Sequence, residues 1–599
     1  MWAVAVVAAV AVCALLSVPY LASTQIVRDR IAQQLSAWSG YRVELGSAPV
    51  VDIWPVFGAV LNDVTFSQWS AGSEPVVSAD RVEIDLSAFA ALRGDVVFSK
   101  IRLVRPTIRL VQGKTLPIPS PPLGGRLVRS IDQARSASED VSTPTQNSVL
   151  PADSFGIIEF SDGRLIEPTG NGHEDVVTSL SGRLDWPALN RAATLTANGI
   201  WRGEPVTVEA QTAQPLLLLA GRNVRTRISI KSAPATIQFD GSGSLAAKGF
   251  VDGKIDISTP SVRRMLEWSR AEVAPDAPIG SVTIAGVVTG DVQRLKFSDV
   301  RLTLDGNPGM GAIEMSYDGD IPGIAGTLAF DTLDLQSFLA AFTSISKTSG
   351  SVYNAIDASI AERINLDLRL SASSAKAGAF SLTDVAATAQ VKGGLAAFDI
   401  SDATAFGGIL QAGIRIDRSE TGGDVEIRFI ATGIDTDAFA RTIGLDNIVP
   451  QARGDISVIL KGDGQTWSSV FENSNGSISA SFGPGSIGGL DLKALREKSG
   501  DVGFFPMSDI AAGSMAIRSA ELKASVAKGV ARIEKAEAKT ADTTILFTGI
   551  VPYVGRGLAL TGSVKPAGED SKDPGASFFV GGTWGAPYIY TIQPGAPRG

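Results

Sequence analysis

The sequence predicts a mainly β protein with an N-terminal transmembrane helix, many antiparallel strands and a few short helices. Three observations support this prediction. Apolar and polar residues alternate over most of the chain, glycine is abundant at 63 residues while aromatic residues make up only 7%, and an uncharged apolar segment occupies residues 2–21. Alternation indicates half-buried strands, and glycine supplies the tight turns between them.

Composition excludes several classes of protein. The chain has 599 residues, more than one ordinary domain needs. With 44% hydrophobic and 19% charged residues it is not a disordered chain. A net charge of −9 argues against a nucleic-acid partner, because phosphate binding needs a basic surface.

The apolar start, MWAVAVVAAVAVCALLSVPYLAS, predicts a transmembrane anchor at residues 1–22. At about 1.5 Å per residue its uncharged part spans roughly the 30 Å of a hydrocarbon core. The alternative, a cleaved signal peptide with Cys13 as a lipidation site, would need a basic leader, and no Lys or Arg precedes the segment. Arg28 and Arg30 follow it, and the positive-inside rule would then place the large domain in the cytoplasm. Long domains can translocate despite such charges, so the orientation stays open. The predicted membrane-spanning residues include Trp2, Val6, Val10, Leu15, Leu16 and Leu21.

Residues 23–111 predict an amphipathic helix followed by strands. The stretch TQIVRDRIAQQLSAWSG groups apolar residues on one helical face and ends at Gly40. In DRVEIDL, Val82, Ile84 and Leu86 alternate with charged residues. Pro106 interrupts the next alternating run and predicts an edge strand or a bulge.

Residues 112–153 predict a linker or mobile loop, because TLPIPSPPLGG and SASEDVSTPTQNS are rich in Pro, Ser and Thr. A short helix is expected around residues 127–134.

We expect a central β region at residues 154–345 and a C-terminal β region at 346–599, with about 25–30 strands in the chain. Short helices are expected within residues 261–270 and 333–342, the second with Asp334 as its N-cap.

Residues 297–319 illustrate the pattern. Val300, Leu302 and Leu304 share one face, a turn is expected at residues 306–309, and alternation resumes at Ile313 and Met315. A similar unit recurs 101 residues later, so the central and C-terminal regions each contain one copy of a repeat. Stacked repeats form elongated architectures with one continuous face. The first copy contains Phe297, Gly306, Ile313, Met315, Leu328, Leu333, Asp334, Phe338 and Phe342, and the second Phe398, Gly407, Ile414, Ile416, Phe429, Ile434, Asp435, Phe439 and Ile443.

No motif in the sequence indicates catalysis or a cofactor. GSGSLA at residues 241–246 matches a dinucleotide-binding pattern, but strand-like sequence follows where a helix would be needed, so a turn is predicted. His173, the only histidine, is expected in a polar loop and cannot build a zinc site alone. Paired carboxylates of a glycosidase depend on folding, but Trp and Tyr total only 16, few for a sugar-binding cleft. We therefore predict neither an enzyme nor a metal or cofactor site.

The apolar sheet face must still be covered. It can pair with a second sheet, close into a membrane barrel, or curl into a gutter that holds lipid. Sparse aromatic residues argue against the barrel. Periodicity does not distinguish a sandwich from a gutter.

Several sequence segments occur in a characteristic order and together span nearly the whole chain outside residues 112–153. They are GYRVELGSAPVVDIWPVFGAVLNDVTFS, VSADRVEIDLSAFAALRGDVVFSKIRLVRPTIRL, FSDGRLIEP, WPALNRAATLTANGIWRGEPV, PLLLLAG, PSVRRMLEWSRAEV, FENSNGSISASFGPGSIGGLDLKAL and FFVGGTWGAPYI. Their order resembles that of the AsmA family of bacterial envelope proteins. The resemblance implies an elongated, curled antiparallel β-sheet that forms a groove, related to bridge-like lipid-transfer proteins.

It also implies an inner-membrane anchor with the bulk of the chain in the periplasm of a Gram-negative bacterium, and a non-enzymatic role in carrying phospholipid between the inner and outer membranes and in outer-membrane biogenesis. The implied partners are membrane phospholipids and an outer-membrane or periplasmic protein at the far end. The alternative is a scaffold for outer-membrane protein assembly that carries no lipid. The alternating positions expected to line the groove are Val82, Ile84, Leu86, Val282, Ile284, Leu302, Leu304, Leu366, Leu368, Val425, Ile427, Ile456 and Val458.

Overall fold

The computed structural model describes most of the chain after residue 24. The described ranges are 25–52, 58–70, 74–86, 98–110, 124–138, 146–169, 172–246, 248–268, 280–319, 321–335, 338, 364–417, 423–445, 449–464, 466–498, 503–566 and 575–592. The predicted anchor at residues 1–22 lies outside these ranges. No helix within them has the length and apolar character needed to cross a bilayer.

Strands dominate the described residues, as predicted, with 31 in all. The chain divides into two compact units, the first formed by residues 1–271 and 281–300 and the second by residues 272–280 and 301–599. The point of division lies within strand β14.

Unit 1 consists of a β-meander with helices between some strands. Its helices are α1 (Gln25–Ser39), α2 (Arg126–Ala137), α3 (Pro215–Leu219) and α4 (Val262–Trp268), with a 3₁₀ turn at Asn147–Val149. Its strands are β1 (Arg42–Leu45), β2 (Val50–Asp52), β3 (Gly58–Ser67), β4 (Val77–Leu86), β5 (Phe98–Arg109), β6 (Ser154–Thr169), β7 (Gly172–Ala188), β8 (Ala193–Trp201), β9 (Glu204–Thr212), β10 (Val224–Ser232), β11 (Thr236–Ser244), β12 (Phe250–Thr259), β13 (Val282–Gly290) and the first part of β14 (Arg294–Leu304).

Unit 2 continues the same kind of meander. Its helices are α5 (Thr436–Ile443), α6 (Trp467–Glu472) and α7 (Leu492–Lys498), with a 3₁₀ turn at Met507–Ile510. Its strands are β15 (Asn307–Ser316), β16 (Gly323–Asp334), β17 (Asn365–Ala377), β18 (Phe380–Lys392), β19 (Leu395–Ala405), β20 (Gly408–Asp417), β21 (Asp424–Asp435), β22 (Gln451–Asp463), β23 (Asn475–Gly488), β24 (Phe504–Pro506), β25 (Ser514–Ile517), β26 (Ser519–Ala527), β27 (Val530–Lys539), β28 (Thr543–Pro552), β29 (Gly557–Pro566), β30 (Ala576–Thr583) and β31 (Ala586–Ile592).

Most neighbouring strands pair antiparallel, but among the described strands each unit contains one parallel pair, which the sequence did not predict. These pairs are β5 with β6 and β16 with β17. Parallel neighbours need a crossover connection of a dozen residues or more. The connections here, residues 110–153 and 335–364, are the longest between consecutive strands. The Pro- and Ser-rich segment therefore corresponds to a crossover, and it contains the predicted helix as α2.

Two local predictions were wrong in detail. The first turn after Leu304 is the two-residue turn Asp305–Gly306, with φ of 49° and 84°, so β15 begins at Asn307 and includes Pro308. Asp-Gly favours this type I′ hairpin because both positions need positive φ. Residues 241–244 of GSGSLA lie in β11 rather than in a turn. A Cβ on Gly241 would come within 2.5 Å of the Gly253 Cα, so glycine is needed there for close strand approach.

His173 and Pro106 also lie in strands. His173 is at the start of β7, opposite Pro168, and not in a loop. Strand β5 pairs with β4 and β6 on its two sides, so Pro106 is not at a sheet edge. The preceding residue, Arg105, has a φ of 48°, and this irregular backbone accommodates the proline inside the sheet.

The two repeat copies have the same local structure where both are described. In each, a two-residue turn with positive φ joins the first two strands, at Asp305–Gly306 and at Phe406–Gly407. Leu333 and Ile434 are buried at 3% and 0% exposure, and Phe338 and Phe439 at 6% and 7%. The Asp435 side chain caps α5 by accepting from the Asp437 and Ala438 amides. Asp334 ends β16, but most of the helix expected after it lies outside the described ranges.

We expect truncation of a covered core residue in unit 1 to cost much more than truncation of an exposed leucine in the same unit. Leu61 is fully buried beneath α1, so Leu61→Ala should lower the free energy of local opening by about 2–5 kcal/mol. Leu219→Ala, at a side chain 37% exposed, should change it by less than about 1 kcal/mol. Hydrogen exchange measures both effects, at the β3 and β4 amides for Leu61→Ala and at the β9 and β10 amides for Leu219→Ala. Equal effects of the two variants would contradict this assignment of the core.

Candidate functional site

The apolar face of unit 1 forms two rows that run across its strands. In an antiparallel sheet, residues directly opposite each other share a face. The strand register places mainly aliphatic residues opposite one another from β8 to β13. One row is Ala197, Val208, Ile230, Ile237, Ile257 and Ile284; the other is Leu195, Ala210, Ile228, Phe239, Ile255 and Gly286.

Most of these side chains are only partly buried. Ile228, Ile230, Ile255, Ile257 and Ile284 all retain intermediate exposure, although they lie in the middle of a sheet. A second layer of protein would bury them fully, as α1 buries the face of β3 and β4. Within the described residues, this part of the apolar face therefore has no layer packed over it.

Helices border the open face at opposite strand ends. Helix α3 connects β9 to β10 and buries Leu216 and Leu217 near Val224. Helix α4 connects β12 to β13 at the other end, where the Trp268 ring meets the Trp201 ring edge-on at 4.5 Å. Together the helices form two rims, and the isoleucine rows run between them.

Unit 2 repeats this arrangement. One row contains Phe398, Ile414, Ile427, Leu460 and Gly476, and the next contains Ile400, Ala412, Phe429, Val458 and Ile478. Helix α5 packs Phe439 against one end of β21 and β22, and α6 packs Val470 against Val425 at the other. Between these helices, Ile427, Leu460 and Val458 stay partly exposed.

The end of unit 2 formed by its last strands is closed. Leu495 of α7 and Ile510 of the 3₁₀ turn are buried at 1% and 0% exposure against Ile545 and Phe578 of the sheet. Strand β24 pairs with β31, and β25 pairs with β23. The apolar face of these strands is consequently an ordinary core and offers no open surface.

The predicted lining residues fall into two groups. Val282, Ile284, Leu304, Ile427, Ile456 and Val458 are partly exposed on the apolar face. The others are buried: Val82 and Ile84 under α1, Leu302, Leu366 and Leu368 at 4–7% exposure, and Val425 against Val470. Leu86 belongs to β4, but its side chain lies outside the description.

Sequence reasoning did not assign several residues of the open rows to the site. Ile228 and Ile230 are recognisable as strand residues, but Ile237, Ile255 and Ile257 need the register to place them on the same face. The available signal is period-two alternation, which marks a face without showing whether anything covers it.

The opposite face is held together by ion pairs between strands. Glu159 of β6 accepts from Lys100 of β5 at 2.8 Å and from Arg102 at 3.4 Å, and these cations, Lys100 foremost, lower the pKa of its carboxyl. On unit 2, Lys535 and Lys523 lower the pKa of the Glu521 carboxyl from 4.5 to about 2. Exposed ion pairs add little stability individually, but they favour one register over its neighbours.

The described residues hold no group of three His, Cys, Asp or Glu side chains placed to bind a metal ion. A polar hollow beside β5 is lined by Asp80, Arg105, Asp162, Arg164 and Ser179. Arg105 Nε donates to Asp80 Oδ2 at 2.7 Å, and both side chains are more than half exposed. This hollow has paired charges and no apolar wall, so the open apolar rows are the stronger candidate site.

The model of the AsmA family matches residues 346–536, which include β17 to β26 and most of β27. No curated protein and no solved structure matches the chain. The matched segment contains the open rows of unit 2 and helices α5 and α6.

The Glu521 carboxyl should titrate far below an ordinary glutamate. Because its folded-state pKa is lowered to about 2, its stabilising contribution is fully present above pH 4.5 and is lost as the pH falls towards 2. Carboxyl NMR of glutamate-labelled protein should show one resonance with this low midpoint, absent in Glu521→Gln. Raising the salt concentration should move the midpoint towards 4.5, since the group is exposed. A midpoint near 4.5 at low salt would contradict the ion-pair geometry.

Proposed function

We propose that this chain carries phospholipid along the open apolar rows of its sheets, since the model of the AsmA family matches residues 346–536. The acyl chains lie on the isoleucine and valine side chains, and the headgroup stays in water beyond a rim. No bond is made or broken, so the chain acts as a lipid-transfer protein and not as an enzyme. The observation that carries the proposal is the partial exposure of rows that alternation would otherwise bury.

Exposing the acyl chains of a phospholipid to water costs a large free energy. Each acyl CH₂ transferred to water costs about 0.8 kcal/mol, so exposing two long chains costs on the order of 20 kcal/mol. An apolar row replaces water with side chains and lowers this cost along the whole path. Transfer then needs only a continuous apolar surface.

The rows are long enough for a lipid. Adjacent strands lie about 4.8 Å apart, so the row from β8 to β13 extends about 24 Å. The acyl chains of one bilayer leaflet occupy about 15 Å, half of the hydrocarbon core. A single phospholipid therefore fits on the open rows of unit 1 without help from another unit.

The proposal includes a location. Residues 1–22 anchor the chain in the inner membrane of a Gram-negative cell, and the β units lie in the periplasm, where they support outer-membrane biogenesis. This location rests on the family and on the uncharged segment at residues 2–21. The partners are membrane phospholipids and a protein at the outer membrane or in the periplasm.

Photocrosslinking in cells tests whether lipid occupies the rows. A photoreactive residue at Ile255 should capture phospholipid, while one at Lys254, its neighbour on the opposite face, should not. Ile427 and Glu426 provide the same comparison in unit 2. Mass spectrometry of the adducts identifies the lipid. Capture at neither apolar position in folded protein would favour the scaffold for outer-membrane protein assembly.

Introducing a charge on the open face should stop transfer while the protein stays folded. Ile228→Asp places a carboxylate among partly exposed apolar side chains, where a bound acyl chain would have to desolvate it at a cost of several kcal/mol. We expect at least a tenfold loss of lipid transfer between donor and acceptor vesicles, since about 1.4 kcal/mol suffices for tenfold.

The matched control is Ser229→Asp, which adds the same charge to the same strand on the opposite face. It should leave transfer unchanged. Circular dichroism and the thermal midpoint establish that both variants are folded. Equal loss in both would show that the apolar face is not the path.

A further inference from the structure

The open face of unit 1 ends at α4 in aromatic and charged side chains. Residues alternate between faces along β8 and β9, so the apolar face continues to Trp201 and Glu204, which stand opposite each other beside the β8–β9 turn. Helix α4 reaches the same place, because Trp268 Nε1 donates to the Trp201 carbonyl at 3.0 Å. The rim at α4 therefore lies directly beyond the aliphatic rows.

Two arginines are held at this rim. The Arg202 guanidinium lies over the Trp201 ring, 5.3 Å from its centre, and donates from Nη1 to the Trp268 carbonyl at 3.2 Å. Arg264 of α4 donates from Nη2 to Glu204 Oε1 at 2.7 Å. A guanidinium carries five N–H donors, and within the described residues these contacts use one donor of each arginine. We call these five residues the Trp–Arg cluster.

The rim at α3 presents exposed aliphatic side chains instead. Leu219 of α3, Leu245 of the β11–β12 turn and Val292 of the β13–β14 turn are 37%, 41% and 39% exposed. The Leu245 amide donates to the Leu218 carbonyl at 3.3 Å, which joins this turn to α3. The two rims thus differ in chemistry, one aliphatic and the other aromatic and basic.

The charged side chains at the α3 end are placed differently from those of the Trp–Arg cluster. Arg222 Nε donates to the buried Ser138 hydroxyl at 2.9 Å. Among the residues described, Arg191 of the β7–β8 turn has no aromatic ring beneath its guanidinium. Asp291 accepts from the two backbone amides that follow it, and these amides foremost, with Lys248, lower the pKa of its carboxyl. The acid beside Lys248 opposes binding of a phosphate there.

The Trp–Arg cluster has the chemistry of a phosphate site at the edge of an apolar surface. Arg202 has no acidic partner in the part of the chain that the structure describes, and planar guanidinium N–H groups match phosphate oxygens. Stacking on Trp201 holds the cation in place before a ligand arrives. Tryptophan is enriched where acyl chains meet headgroups. The segment after α4, residues 269–279, carries one base and two acids, so this assignment depends on the placed guanidinium groups and not on net charge.

We propose that the Trp–Arg cluster binds the phosphodiester of a phospholipid on the open rows of unit 1, with the acyl chains directed towards α3. The inference rests on the proposed function and adds to it a headgroup chemistry and an orientation. Along β9, Val208 of the nearest row lies four residues from Glu204, which is about 13 Å. The acyl chains of one leaflet extend about 15 Å, so one lipid spans the cluster and this row together.

Competition between a phospholipid and a diacylglycerol with the same acyl chains tests the phosphate contact. The full chain, with a photoreactive residue at Ile230 of the nearest row, is reconstituted in phosphatidylcholine vesicles that contain a minor fraction of the diacylglycerol. Mass spectrometry of the adducts gives the ratio of phospholipid to diacylglycerol captured. In Arg202→Gln with Arg264→Gln this ratio should fall roughly tenfold, which corresponds to about 1.4 kcal/mol.

The matched control is Arg225→Gln with Arg227→Gln, which removes the same two charges from the opposite face of β10. These arginines pair with Asp240, and their loss should leave the ratio unchanged. Glu204→Gln removes the acid bound to Arg264 and should raise the ratio. Circular dichroism and the thermal midpoint establish that each variant is folded.

Lipids with a photoreactive group at different ends test the orientation. A phosphatidylcholine with a diazirine at the ends of its acyl chains should label α3 and the turn at Leu245. One with the diazirine on its headgroup should label α4. Peptide mapping of the adducts distinguishes residues 215–219 from residues 262–268.

Three outcomes would overturn the inference. They are an unchanged ratio in the Arg202 and Arg264 variant, an equal fall in the Arg225 and Arg227 variant, and equal labelling of both rims by both diazirine lipids. Capture of neither lipid at Ile230 in folded protein would instead count against lipid carriage itself. Failure of the phosphate site and failure of the proposed function therefore give different results.

Discussion

Cross-strand register is the constraint on which the rest of this structure depends. Side chains alternate between faces with a period of two, so a slip of one residue would move every isoleucine of a strand to the charged face. Ile427 stands opposite Leu460, while the adjacent pair, Glu426 and Lys461, joins opposite charges on the other face. A single register therefore places apolar residues opposite each other on one face and opposite charges across from each other on the other face. Continuous apolar rows exist only because this match is maintained from strand to strand.

The position of the helices determines whether each part of the apolar face is a buried core or an open surface. Helix α1 lies over β3 and β4, and residues such as Leu61 and Ile84 become an ordinary core. At the other end of the chain, α7 does the same for β28 to β31. Between β8 and β13, and between β20 and β23, the helices sit at the strand ends instead. The same alternating sequence thus yields a core where a helix crosses the strands and an open surface where it does not.

The sequence predicted the β class, the alternation and the helices α1, α2 and α4, because these depend on local periodicity and capping. It did not predict α3, α6 or α7. It placed Val82 and Ile427 alike on an apolar face, but could not distinguish their burial, since that depends on a helix distant in sequence or on none. The sequence also did not predict that β5 pairs with β6, and β16 with β17, in parallel. The direction of a strand after a crossover is fixed by tertiary packing, so no local sequence pattern indicates that direction.

Repetition explains how such a surface lengthens without new chemistry. Each repeat copy adds strands joined by a two-residue turn, and the turn tolerates different residues: Asp305 in one copy and Phe406 in the other, both at positive φ. A bulky residue is unfavourable there. The Phe406 ring nevertheless packs at 5.7 Å from Phe439 and 5.9 Å from Phe380. Aromatic packing offsets the local strain, so the copies can differ in their turn residues while the rows between the helices stay apolar. The proposed lipid carriage would require only that second property, because acyl chains would be bound by burial alone.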